Sequence, residues 1–256
     1  MNSDFENKLK QTKSLDIGKI IDESFSTFKK TVWVSGIGII LLLLFVLPIT
    51  VFVIFKVMDI SSIDQFVKMS PTLAEDIDYL LLNAAIAIPL AALTAPITAG
   101  FYKINHLAKQ EKEFGISNLF DYYKSSHFKP LALSAVLIAI YSNILGLGLI
   151  YLHLSSLATI IQLFIAFLFI LSVPLIIFEN QNAFQALSNS SKLAMKYPFS
   201  IILCVAFAVI IAILGLFVFC LGMFFTFSYL YTMNYTLFNE ILPIDNKNPI
   251  DEIGQE

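Results

Sequence analysis

Arginine is absent from this chain of 256 residues, and all sixteen basic side chains are lysine. The planar guanidinium is the usual clamp for phosphate and carboxylate, because it donates two parallel hydrogen bonds at once. Its absence argues against a nucleic-acid partner. Cysteine is scarce too, with Cys204 and Cys220 the two present. Sixteen residues of straight helix would hold them about 24 Å apart, too far for a disulfide. No Cys-x-x-Cys pair or His/Cys cluster marks a metal site, and no cofactor is expected. Charged residues make up only 14% of the chain. They lie between the apolar runs, and no Lys, Asp or Glu sits near the middle of one. That argues against proton relays, charge-coupled transport and voltage sensing, which need ionisable groups inside the membrane. No H-E-x-x-H, G-x-S-x-G or Walker pattern occurs, so a non-enzymatic protein is expected.

What the chain has instead is apolar length. It is 57% hydrophobic, with 24 Phe and a mean hydropathy of +0.79. A helix needs about twenty apolar residues to cross 30 Å of hydrocarbon. Stretches at 32–57, 79–106, 130–151 and 157–178 each supply them. The stretch 198–242 would span nearly 70 Å as one helix, over twice the hydrocarbon thickness. It is therefore divided in two, with a turn near 217–222. The expected fold class is all-α, a polytopic integral membrane protein with six transmembrane helices. Three regions follow: an N-terminal segment 1–31, a six-span membrane domain 32–242, and a short acidic tail 243–256. The first apolar run begins behind some thirty polar residues, so a membrane span is expected there and not a cleavable signal.

Short half-polar segments precede spans 1, 3 and 5. Ile17, Ile21, Phe25, Phe28 and Val32 recur at spacings of three and four, one face of a helix. Ile116, Phe120 and Tyr123 form a similar face, with Ser117 as its cap. Asn182 and Gln185 stand at capping-box spacing before the third. Thr72 and Glu75 stand at the same spacing before span 2. Pro130 and Pro198 open spans 3 and 5, where a missing N–H does no harm. With six spans, fourteen of the sixteen lysines fall on one side and only Lys56 and Lys68 on the other. The positive-inside rule then places both termini and all three amphipathic helices in the cytoplasm. Lys19, Lys29, Lys30, Lys124, Lys129, Lys192 and Lys196 are the candidate contacts to anionic lipid headgroups.

Span 2 carries Pro89 and Pro96 among small residues, and this pair is the candidate hinge. Asn83, Ser142, Asn143, Gln162 and Asn234 are the polar groups inside the spans, expected to hydrogen-bond between helices. Three phrases carry a resemblance: LDIGKIIDESFSTFKK before span 1, APITAGFYKINHLAK leaving span 2, and VPLIIFENQNAFQALSNSSKLAMKYPF leaving span 4. With them the chain resembles bacterial six-span proteins of unknown function, related to the membrane domain fused to some glycerophosphodiester phosphodiesterases. The catalytic domain of those fusions is absent, so their activity does not carry over. The resemblance implies a bacterial cytoplasmic (inner) membrane. The expected function is that of a structural or accessory subunit or a lipid-interacting module. Its partners would be membrane lipids and other integral membrane proteins. The alternative is a small transporter or channel for a neutral or amphipathic solute, with Asn83, Asn143 and Gln162 along its path.

Overall fold

The structure is a computed structural model that describes residues 15–73, 76–217 and 222–244. Among these residues every regular element is helical, and five stretches are long and apolar enough to cross a membrane. Helix α1, Ile17–Val57, runs 41 residues. Its first turn is capped by Asp16, whose carboxylate accepts from the Lys19 N–H at 3.0 Å. The first amphipathic segment is therefore continuous with the apolar stretch after it. The physical reason is local: unlike the segments ahead of Pro130 and Pro198, this junction holds no proline or glycine to stop the helix. The expected boundary at residue 31 is one of composition and not of backbone.

Helix α2, Ile63–Leu73, is short and amphipathic, and α3, Ile77–Lys109, follows. The cap of α3 is Asp76, which accepts from the Tyr79 N–H at 3.0 Å. Thr72 lies inside α2 and bonds back to the Met69 carbonyl. Glu75, its expected capping partner, is outside the described residues. Helix α3 passes through Pro89 and Pro96 without interruption.

The connection to span 3 departs from expectation. Residues Ile116–Leu119 and Asp121–Tyr123 form two 3-10 turns and not an amphipathic α-helix. Side chains take over the backbone partners here. The Gly115 N–H donates to Asn118 Oδ1 at 2.8 Å, and the Asn118 amide donates to Asp121 at 2.9 Å. The buried residues are Leu119 and Tyr122, three apart, which suits the 3-10 period. Ile116 and Phe120, expected on the apolar face, are exposed.

Helices α4, Phe128–Tyr151, and α5, Ser155–Phe169, form an antiparallel hairpin. The tight turn between them puts His153 at φ 59. The next apolar stretch breaks at residues 170–171 and resumes as α6, Ser172–Phe178. A break inside an apolar stretch frees backbone groups that lipid cannot satisfy. Ser190 of α7, Ala183–Lys196, supplies the missing partner. Its hydroxyl accepts from the Leu171 N–H at 3.1 Å and donates to the Leu168 carbonyl at 2.8 Å. Ser190 is fully buried. Replacing it with alanine is expected to cost about 1–3 kcal/mol, because both backbone groups are then left unpaired. A lower melting temperature in detergent is the readout. Ser188→Ala, on the exposed face of the same helix, is the unchanged control.

Asn182 and Gln185 form the capping box at the start of α7, with bonds of 3.0 and 3.4 Å. Then come α8, Pro198–Leu214, a 3-10 turn at Gly215–Phe217, α9, Gly222–Phe227, and α10, Tyr229–Ile241. Helices α9 and α10 run back along α8. Thr226 donates to the Ala212 carbonyl at 3.0 Å, and the Tyr229 ring meets Phe207. The return ends where α1 begins, since Lys19 reaches Glu240 at 3.1 Å. Most of the core collects at this end, called the base here. All eight residues from Phe101 to Ala108 are buried. Toward the other end the apolar side chains Leu44, Phe52, Ile160 and Leu163 are exposed. In a membrane those positions face lipid.

Candidate functional site

Two features carry chemistry: the charged base, and a seam between α3, α4 and the α5–α6 stretch. The base is tied by two layers of bonds. On its surface Lys19 bridges Glu240 at 3.1 Å and Glu23 at 3.7 Å. Lys109 meets Glu23 at 2.9 Å, and Lys30 meets Glu111 at 3.5 Å. The hydrogen bond it donates to Glu240, then the Glu240 charge, hold the Lys19 ammonium above its ordinary pKa. These pairs join α1, α3 and α10. Below them Lys103, nearly fully buried, pairs with Asp121 at 2.8 Å. Asn105 of α3 accepts from Thr232 of α10 at 2.8 Å and from Thr31 of α1 at 3.4 Å. The Ser24 and Tyr229 hydroxyls share a hydrogen bond of 2.6 Å, and His106 Nδ1 and the Tyr235 hydroxyl share one of 3.1 Å. The phrase FYKINHLA is thus a polar and aromatic hub buried among three helices and the 3-10 turns.

This sorts the candidate headgroup lysines. Lys19 and Lys30 are engaged by carboxylates of the protein. Lys196 lies 5.4 Å from the centre of the Tyr197 ring. Lys29, Lys124, Lys129 and Lys192 are exposed and form no ion pair among the described residues. Trp33, Phe184, Met195 and Phe199 are exposed on α1, α7 and α8; Lys29 shares α1 and Lys192 shares α7 with them, whereas Lys129 lies on α4 and Lys124 follows the second 3-10 turn. Asp121 and His127, close in sequence, do not meet. His127 Nε2 instead bonds Asn180 at 2.8 Å, which ties the start of α4 to the turn before α7.

The seam holds two cavities. The one farther from the base, about 150 Å³, is lined by Asn83 and Ala87 of α3, Asn143 and Gly146 of α4, and Gln162 of α5. The one nearer the base, about 290 Å³, is lined by Thr94 and Thr98 of α3, Ser134 and Ala139 of α4, and Ser172 of α6. Of the polar groups expected to join helices, Asn143 bonds only within its own helix, to the Ala139 carbonyl at 2.8 Å. Asn83 and Gln162 form no hydrogen bond among the described residues. Close contact explains the pattern. Gln162 lies so tightly over Gly146 that a Cβ there would stand 2.6 Å from its Nε2. The amide is held over the cavity and not against a partner.

The candidate hinge residues differ in setting. Pro96 is buried and Pro89 is exposed. Thr94 and Thr98 bond back within α3, to Leu90 and Thr94. Tyr123, from the second 3-10 turn, donates to the carbonyl of Leu93. That carbonyl neighbours the one Pro96 leaves without a helical donor. Thr94 and Thr98 are the hydroxyls nearest these prolines in the sequence. Tyr123 could not be found that way, because it approaches from thirty residues on. Among the described residues no group of three His, Cys, Asp or Glu is placed to hold a metal. No protein-family model, curated protein or solved structure matches the chain.

Proposed function

We propose that this is a six-span protein of a bacterial cytoplasmic membrane, with its base and both termini on the cytoplasmic side. It acts as a non-enzymatic lipid-interacting module or accessory subunit. The sixth crossing is the return through α9 and α10, which from Gly222 to Ile241 reaches about 30 Å. The sequence resemblance to six-span proteins supports the same count.

The observation that carries the reading is the sorting of the lysines. Lys29, Lys124, Lys129 and Lys192 are exposed and unpaired among the described residues, and the helices of Lys29 and Lys192 also expose Trp33, Phe184 and Met195. Cations beside exposed aromatic and thioether groups make an interfacial surface, rings in the headgroup region and ammonium groups on lipid phosphate. Each lysine near an anionic leaflet is worth about 1 kcal/mol. The variant K29Q/K124Q/K129Q/K192Q should therefore lose at least about tenfold of any preference for phosphatidylglycerol over phosphatidylcholine. Counting lipids bound to the detergent-solubilised protein by native mass spectrometry measures it. Raised salt should weaken the wild-type preference in the same direction. Lys19→Gln should leave the preference alone and lower the melting temperature. A wild-type protein that binds both lipids equally would end this reading.

A further inference from the structure

We infer that the seam between α3, α4 and the α5–α6 stretch is a path for a small uncharged solute that both donates and accepts hydrogen bonds, a short polyol or urea-like amide. The inference goes beyond the lipid-facing reading and does not depend on it.

The far cavity comes first. Asn83, Asn143 and Gln162 lie six to eight residues from the far ends of their helices, roughly 10 Å inward. A side-chain amide in an apolar region without a partner costs several kcal/mol. Three amides meet here around one open-mouthed pocket of about 150 Å³; Asn83, half-buried, and Gln162, exposed at its mouth, have no partner among the described residues. Asn143 uses its NH₂ on Ala139, so its Oδ1 still accepts. Something polar must complete these groups. The volume suits a molecule of a few heavy atoms or about five waters, at roughly 30 Å³ each.

The near cavity continues the line. Ala87 and Ala91 are one helical turn apart and line the two cavities in turn, as do Asn143 and Ala139 on the facing helix. Pro89 falls between them on α3. Thr94 and Ser134 each spend their hydroxyl proton on a carbonyl of their own helix, and Thr98 is taken up by a hydrogen bond with Tyr231. What Thr94 and Ser134 keep is lone pairs. The near cavity thus offers mostly acceptors, while the free amides of Asn83 and Gln162 in the far one offer donors and acceptors both, so the complementary solute carries both kinds of group. One turn beyond Leu131, toward the base, stand Tyr122 and His127, with ring centres 5.9 Å apart. Tyr122 OH and His127 Nδ1 are buried and without a hydrogen-bond partner. No lining residue is charged, so an ion would find no counter-charge to replace its water.

The test is osmotic. Proteoliposomes are shrunk in a stopped-flow mixer with glycerol, with urea, or with potassium chloride, and their reswelling is followed by light scattering. The wild type should reswell several-fold faster than protein-free vesicles in glycerol or urea, and no faster in potassium chloride. N83L/Q162L should return the rate to the protein-free value. Its melting temperature should stay level or rise, because the two amides bond nothing in the protein. No excess reswelling overturns the proposal. So does faster water flux alone, which would mean cavities that hold only water. A clear drop in the melting temperature of N83L/Q162L overturns it as well, by showing the amides to be structural.

Discussion

Gly100→Val should leave no folded protein to measure. The glycine sits where α3 meets the first 3-10 turn, and a Cβ built on it would stand 2.5 Å from both the Cα and the carbonyl oxygen of Leu119. Those are backbone atoms and cannot rotate away. Leu119 is itself fully buried, packed with Phe101 and Ile39. It is held in its turn by the Gly115–Asn118–Asp121 bonds. Overpacking usually costs about 1–3 kcal/mol, when side chains can yield. Here the turn as a whole must move, so alanine should cost at least the top of that range. Valine should abolish the monodisperse peak on size exclusion in mild detergent. Gly148 is the control, since a Cβ there meets nothing within 4 Å. Gly148→Ala should melt as the wild type does, and equal melting of Gly100→Ala would show that the turn does not pack as described.

Removing one partner of the Lys103–Asp121 pair should be nearly as damaging. The two charges lie 2.8 Å apart, with the lysine side chain only 6% exposed and the aspartate 21%. Breaking such a buried pair from one side costs about 3–5 kcal/mol, because the remaining charge loses its counter-charge. Lys103→Met and Asp121→Asn should each lower the melting temperature steeply. The double variant Lys103→Met/Asp121→Asn should recover part of the loss, since no charge is then left without its counter-charge and the amide oxygen still accepts from Asn118. A double variant no better than the singles would mean the charges serve something other than each other. By contrast Lys68→Met, which breaks the exposed pair to Asp64, should change melting little.

Much of this protein was legible without coordinates. Hydrophobic length alone specifies the helical membrane class, because a lipid-buried backbone must satisfy its own hydrogen bonds and a helix does so within one segment. Local chemistry specifies the helix starts at Pro198 and at the Asn182–Gln185 box, since a cap needs only residues three positions apart. Charge scarcity specified that ion pairs would collect at helix ends. What only the tertiary structure decided is which polar groups meet. Asp121 joins Lys103 across eighteen residues, Asn105 joins Thr232 across 127, and Ser190 reaches back to the break at Leu171. The segment 116–123 reads as an amphipathic helix by periodicity, yet Lys103 and Gly100 draw it into two 3-10 turns that bury the opposite residues. Asn83 and Gln162 read as glue between helices, yet the close approach at Gly146 leaves both amides facing a cavity. The reason is the same in each case. Periodicity and capping act over three or four residues, whereas a buried polar group is satisfied by whatever the packed fold brings beside it, from any distance along the chain.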